Sequence, residues 1–139
     1  MRRALLALIL VMPPLAASAD DDRVPPLRDP IVLKECGECH MAFQPAFLPA
    51  RSWERLMDTL SDHFGDDATF PPTTVAAIRR TLVAGAGRAG GAPSRITETR
   101  FFRHEHDFPD RVWNDPKVVT RSNCPACHRG AERGVYEDD

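Results

Sequence analysis

Apolar residues in this chain recur at helical spacing and rarely alternate with polar ones. The clearest case is a segment that Ser52 can cap and Gly65 can end, and its apolar residues share one helical face: Trp53, Leu56, Met57, Leu60 and Phe64. His63 belongs to the same face, because it follows Leu60 by three residues. The pattern predicts a helix over residues 52–65.

The flanking segments predict further short helices joined by loops. Residues 20–30 contain three prolines and are expected to be extended. Residues 31–43 are expected to form a helix that cannot continue through the segment with Pro45 and Pro49. A third helix is expected to begin at Thr73 or Thr74 and to end at Gly85, with a buried stripe of Val75, Ile78 and Leu82. We therefore predict an all-α fold of short helices and loops.

A glycine-rich stretch, residues 85–93, divides the chain. Its four glycines and Pro93 are typical of a flexible linker. We expect an N-terminal lobe over residues 20–84 and a C-terminal lobe over residues 94–139.

The first nineteen residues have the pattern of a secretory signal peptide. Arg2 and Arg3 precede an apolar run over residues 4–12, and Ala17 and Ala19 provide a small-residue cleavage site. The run is too short for a typical transmembrane helix, although a retained anchor is the alternative. We expect removal of residues 1–19 and a periplasmic product that does not span the membrane.

Each lobe carries one copy of the same five-residue motif. The copies are Cys36-Gly37-Glu38-Cys39-His40 and Cys124-Pro125-Ala126-Cys127-His128. This motif is typical of c-type haem attachment, in which the two thiols bind the porphyrin and the histidine binds the iron. The sequence thus predicts two covalent c-type haems, with the short helices and loops wrapped around them.

Other uses of four cysteines fit the spacing less well. A zinc site built from two Cys-x-x-Cys pairs separates them by about 15–20 residues, whereas 84 residues lie between Cys39 and Cys124. A thioredoxin-like redox pair needs a βαβ context that the pattern lacks. Two disulfides suit an exported protein but leave His40 and His128 unexplained.

Two further ligands are needed if both irons are six-coordinate. His40 and His128 are the proximal ligands, so the remaining histidines are His63, His104 and His106. A histidine on an apolar face is usually a hydrogen-bonded core residue, but we expect His63 to be a ligand because a nearby haem iron needs a sixth one. His104 and His106 are two residues apart, so a helix would direct them differently and only one would face a given haem. Methionine is the usual competitor, and Met57 is the one candidate left after signal-peptide removal and the exclusion of Met41, which adjoins His40.

The charge balance argues against a nucleic-acid partner. The whole sequence has a net charge of −2, and loss of Arg2 and Arg3 with the signal peptide would make it −4. Acidic residues collect near both ends of the expected product, as in solvated termini.

Four segments of the chain resemble the small periplasmic dihaem cytochromes c. They are the first Cys-x-x-Cys-His motif with Phe47-Leu48-Pro49 and Ser52-Trp53, then Leu60-Ser61-Asp62-His63-Phe64-Gly65-Asp66-Asp67-Ala68, then Arg95-Ile96-Thr97 leading to Glu105-His106-Asp107, and Ser122-Asn123 before the second motif. The resemblance implies an electron carrier with two low-potential bis-histidine haems, and it makes His63 and His106 the sixth ligands and leaves His104 spare. It also implies redox partner proteins such as an oxygen-binding monohaem cytochrome c or a membrane b-type cytochrome.

We therefore expect a single-electron relay and not an enzyme. The alternative is a dihaem enzyme or gas-binding protein with one five-coordinate haem, although the chain has no large extra region for a substrate pocket. A third possibility is a subunit of a larger electron-transfer complex.

Overall fold

The computed structural model describes residues 22–88 and 90–137. The signal-peptide prediction lies outside this range. The described chain is helical and contains no strand, which confirms the all-α prediction. Its helices are α1 (Pro30–Cys36), α2 (Ala50–Asp58), α3 (Pro72–Ala84), α4 (Arg100–Glu105) and α5 (Asp110–Trp113), with short 3₁₀ helices at Pro45–Phe47, Leu60–Asp62, Ile96–Glu98, Cys124–Ala126 and Ala131–Arg133.

Helix α1 is shorter than the sequence predicts. It begins with Pro30 after Asp29, whose side chain accepts hydrogen bonds from the backbone N–H groups of Ile31 and Val32. The prediction of a helix over residues 31–43 is wrong, because the helix ends at Cys36 and Gly37 caps it. The rest of the first motif lies in turns, so only its first cysteine is helical.

Helix α2 also departs from its prediction at both ends. It begins at Ala50 after Pro49, so the predicted cap Ser52 lies inside the helix and is buried. It ends at Asp58, and a 3₁₀ helix and a tight turn separate it from Gly65. His63 is therefore not a helical residue: its backbone N–H and carbonyl exchange hydrogen bonds with Asp66.

Helix α3 matches its prediction closely and completes the main core. Ile78 and Leu82 are buried as predicted, and Val75 packs beside them. Helices α1 and α2 both pack on α3. The buried residues of this main cluster precede the glycine-rich segment: Leu27, Val32, Ala42, Leu48, Trp53, Met57, Ile78 and Leu82.

The two ends of the described chain meet. The N–H of Val24 donates to the Gly134 carbonyl at 2.9 Å, and the N–H of Tyr136 donates to the Asp22 carbonyl at 2.7 Å. The buried amide of Gln44 donates to the Ala131 carbonyl at 2.8 Å and accepts a hydrogen bond from the Tyr136 hydroxyl. These contacts join both lobes, whose boundaries at residues 84 and 94 stay a prediction.

Candidate haem-binding sites

The first motif opens into a cavity within the main core. Cys36 ends α1, and Cys39 and His40 follow in the next turn. All three line a cavity of about 500 Å³, a volume typical of a ligand site. The core supplies the opposite walls: Val32, Leu48, Trp53, Met57, Ile78 and Leu82. This cavity combines the thiols, an imidazole and an apolar surface that a c-type haem requires.

His63 lies across this cavity from His40. The centroids of the two imidazole rings are 6.2 Å apart, and the ring planes differ by 23°. The Nδ1 of His40 lies 2.8 Å from the Met41 carbonyl oxygen, so that nitrogen carries the proton and Nε2 keeps its lone pair for a metal. The ring of Phe43 also packs on His40, at 5.1 Å between centroids.

The surroundings of His63 favour its neutral form. Burial is the main cause of a lowered pKa for His63, and the neighbouring His40 and Arg95 lower it further while Asp66 opposes them. A neutral imidazole is the form that binds a metal. The Nδ1 of His63 is buried without a hydrogen-bond partner in the described structure. Arg95 lies over the ring of Phe64 at 3.8 Å, at the same edge of the cavity.

The second motif forms a site in the C-terminal part of the chain. Cys124 begins a 3₁₀ helix, and Cys127 and His128 follow it. His106 caps the C-terminal end of α4, and its ring centroid lies 6.0 Å from that of His128, with a 77° angle between the planes. Both rings have an Nδ1 contact with a carbonyl oxygen: His106 with Phe102 at 3.1 Å, and His128 with Glu137 at 3.3 Å.

Both histidine pairs have the spacing that one iron between them requires. A metal held by two imidazole nitrogens at about 2.0 Å each places the ring centroids roughly 6.2 Å apart, since a centroid lies about 1.1 Å behind its nitrogen. The observed separations are 6.2 and 6.0 Å. The donor residues therefore fit a haem at each site.

The structure separates the remaining ligand candidates. The His104 side chain is 84% exposed and lies beside Glu105, whereas His106 packs among Phe102, Phe108 and Trp113. Of these two histidines, His106 is thus the one that faces His128. Met57 lines the first cavity as part of the core.

The four cysteines form no disulfide with one another. Burial raises the pKa of the Cys36 and Cys124 thiols to about 11, so these two groups are protonated at neutral pH before they react. Within residues 22–88 and 90–137, no three or more His, Cys, Asp or Glu side chains are arranged so that they alone could hold a metal ion. Asn123 precedes the second motif, and its side-chain amide donates to the Lys117 and Val118 carbonyls without capping the following 3₁₀ helix.

Comparison with known proteins identifies the family. The model of the dihaem cytochrome c family matches residues 32–136, which include both motifs and all four paired histidines. This chain belongs to the dihaem cytochrome c family. Membership means that the protein carries two c-type haems and is a haem-binding electron-transfer protein. None of the curated proteins matches the chain.

Solved dihaem cytochromes c share this fold. Two structures from Rhodobacter sphaeroides have 41% and 38% sequence identity, with TM-scores of 0.67 and 0.74. They cover 79% and 81% of this chain, and 98% and 99% of their own chains. A dihaem cytochrome c from Shewanella baltica OS155 is 39% identical with a TM-score of 0.73, and the match covers 78% of this chain and 87% of that one.

Several residues of this dihaem cytochrome c have site contacts that the sequence interpretation did not assign. Arg95 and Ser122 both line the first cavity, although the resemblance included them without a role. Tyr136 packs edge-on to His128 at 5.5 Å between centroids. Its burial was hard to foresee, because it depends on pairing between the two chain ends.

Among the helices described, none has the length and apolar character needed to cross a membrane.

Proposed function

We propose that this dihaem cytochrome c relays single electrons in the periplasm through two six-coordinate haems. His40 and His63 would be the axial ligands of the first haem, and His128 and His106 those of the second. The observation that carries the proposal is the pair of ring separations, 6.2 and 6.0 Å, each of which suits one iron between two imidazoles.

The protein supplies orientation and exclusion of water. When bound, each haem provides a reversible one-electron couple. Backbone carbonyl oxygens at Met41, Phe102 and Glu137 orient three of the four imidazoles, and such outer contacts strengthen a histidine as a ligand. Because the same side chains would bind the iron in both oxidation states, electron transfer would require little rearrangement of the chain.

Residues next to the second motif reach the first site in space. Ser122 lines the first cavity, and only Asn123 separates it from Cys124 of the second motif. Arg95, Ile96 and Thr97 of the C-terminal half also line that cavity. These contacts support electron exchange between the haems within one molecule.

The proposed partners are redox proteins. An oxygen-binding monohaem cytochrome c and a membrane b-type cytochrome are the candidates that the sequence resemblance implies. The periplasmic location rests on residues 1–19, where a basic start, an apolar run and small residues form the signal-peptide pattern.

Replacement of the distal histidines tests the ligand assignment. We expect His63→Ala and His106→Ala each to open about half of the ferrous haem to carbon monoxide, because each removes one axial ligand. His104→Ala is the matched control and should bind none, since that side chain is 84% exposed. Visible spectra of the dithionite-reduced, fully haem-loaded proteins measure the bound fraction.

The same experiment distinguishes the rival function. A distal variant that remains closed to carbon monoxide contradicts the assignment of its histidine, and for His63→Ala it would identify Met57 as the ligand to examine. If the His104→Ala protein binds carbon monoxide while His106→Ala does not, the second ligand pair is wrong. An enzyme or gas-binding protein would instead have an open haem before any replacement.

A further inference from the structure

We propose that Phe102 is a positioning residue that holds the His106 imidazole nearly perpendicular to that of His128, which makes the second haem iron electronically unlike the first. The inference rests on the proposed bis-histidine ligation and goes beyond it. It concerns the orientation of the ligands and not their identity.

The two histidine pairs are alike in spacing and unlike in orientation. The planes of His40 and His63 are within 23° of each other, whereas those of His106 and His128 differ by 77°. The ring separations differ by much less, 6.2 against 6.0 Å. Ligand type and spacing are thus nearly the same at both sites, and orientation is the main difference between the pairs.

Phe102 contacts His106 in two ways that together fix its ring plane. The aromatic rings stack with 4.1 Å between centroids and only 6° between planes. The Phe102 carbonyl oxygen also lies 3.1 Å from Nδ1 of His106. A stacked face restricts tilt and the hydrogen bond restricts rotation, so the two contacts leave one favoured orientation.

The position of Phe102 is itself well determined. Its side chain is buried, and its backbone N–H donates to the Thr99 hydroxyl at the start of α4. Trp113 of α5 packs against both rings, at 6.3 Å from Phe102 and 6.2 Å from His106. The His128 ring has separate supports, the edge of Tyr136 and the Glu137 carbonyl. Different parts of the chain therefore fix the two ring planes, and together they set the large angle between His106 and His128.

Ring orientation matters because an imidazole donates π-electron density perpendicular to its own plane. Two parallel rings raise the energy of the same iron d orbital, so the unpaired electron of low-spin ferric iron is confined to that orbital. Two perpendicular rings raise two different orbitals equally, which leaves them close in energy and preserves orbital angular momentum. Axial ligation is one of the means by which a protein tunes a haem, and here it would act through angle alone.

Electron paramagnetic resonance of the ferric, fully haem-loaded protein tests this inference. We expect two low-spin signals in equal amount, one rhombic from the His40–His63 site and one strongly anisotropic from the His106–His128 site. His106→Ala should remove the anisotropic signal and His63→Ala the rhombic one. Two rhombic low-spin signals in the wild type would overturn the inference but leave the bis-histidine carrier intact, whereas a wild-type high-spin signal would overturn the carrier proposal.

Phe102→Leu tests the positioning role. Loss of the stacked ring should shift or broaden the anisotropic signal and leave the rhombic signal unchanged, while the protein stays closed to carbon monoxide. Phe101→Leu is the matched control on the same helix, since Phe101 is 68% exposed, and it should match the wild type.

An unchanged anisotropic signal in Phe102→Leu would contradict the positioning role. If Phe102→Leu fails to retain two haems, Phe102→Met replaces it, because a flexible side chain of similar volume fills the core without a flat stacking face. The expected and contradicting results are the same for that variant.

Discussion

We expect the double variant Cys36→Ala/Cys39→Ala to lose cooperative thermal unfolding. The double variant Cys124→Ala/Cys127→Ala should keep it. Both double variants remove one covalent haem by the same chemical change. They differ in whether the lost haem occupies a cavity of the main core. The first site is a cavity of about 500 Å³ lined by the main core, and the second lies outside the cluster that forms that core.

The size of the first cavity makes the difference large. Without the haem, the buried core side chains that line this cavity would lose their packing partner and face water. Burial of one large apolar side chain is worth about 1.5–3 kcal/mol, against a total stability of about 5–15 kcal/mol for a typical protein. Partial collapse would reduce the cost but would also destroy the packing of the three main helices. We therefore infer that the N-terminal lobe needs its haem in order to fold.

Mass spectrometry and thermal unfolding measure this result. Each double variant should lose the mass of one haem, which the wild type keeps through denaturation. Thermal unfolding, followed by circular dichroism, should be cooperative in Cys124→Ala/Cys127→Ala and absent in Cys36→Ala/Cys39→Ala. Equal melting temperatures in the two double variants would contradict the role assigned to the first cavity.

The second large effect is expected at Gly87. Its N–H donates to the Leu48 carbonyl at 2.9 Å, and a Cβ at this position would lie 1.9 Å from the Ala46 carbonyl oxygen. Backbone atoms cannot make room as a flexible side chain can, so Gly87→Ala must displace residues 46–48 or the segment itself. We expect a loss of about 3 kcal/mol or more in the free energy of unfolding.

Gly90 is the matched control in the same glycine-rich segment. A Cβ there would have no atom within 4 Å, so Gly90→Ala should change the free energy of unfolding by no more than about 0.5 kcal/mol. Denaturant unfolding of the two haem-loaded variants provides the comparison. If residues 85–93 were a flexible linker along their whole length, both alanine variants would resemble the wild type, and the role assigned to Gly87 would be wrong.

The features that could be predicted from the sequence depend on local chemistry. The Cys-x-x-Cys-His motifs identify the cofactor as a c-type haem, because the attachment thiols and the proximal ligand lie within five residues. Helix α3 could be predicted almost to its ends, since Pro72 can only begin a helix and Gly85 readily ends one. The all-α architecture follows from the same helical spacing of apolar residues.

The errors occurred where tertiary packing overrides a local pattern. Apolar spacing continued from Trp53 to Phe64, yet the helix stops at Asp58 and a turn with Phe64 at φ 60° directs His63 across the cavity. A polar residue before a helix looks like a cap, but Ser52 is buried inside α2. The 3₁₀ helix and turn that follow α2, which the apolar spacing does not indicate, account for the position of His63.

Pairing of the histidines could not be predicted from the sequence either. His40 and His63 belong to neighbouring segments, but His106 and His128 meet only because α4 and the C-terminal loop pack together around Phe102 and Tyr136. Residue order alone did not decide whether His104 or His106 is a sixth ligand, and the resemblance to the family implied His106. The structure places His106 beside His128 and leaves His104 exposed.

The central claim is that both haems are closed by a second histidine, and carbon monoxide binding to the wild-type protein tests it most directly. The visible spectrum of the haem-loaded, dithionite-reduced protein should be low-spin and should not change when carbon monoxide is added. The oxidised protein should likewise show no high-spin band. A wild-type haem that binds carbon monoxide readily would contradict the account and favour catalysis or gas binding at an open iron.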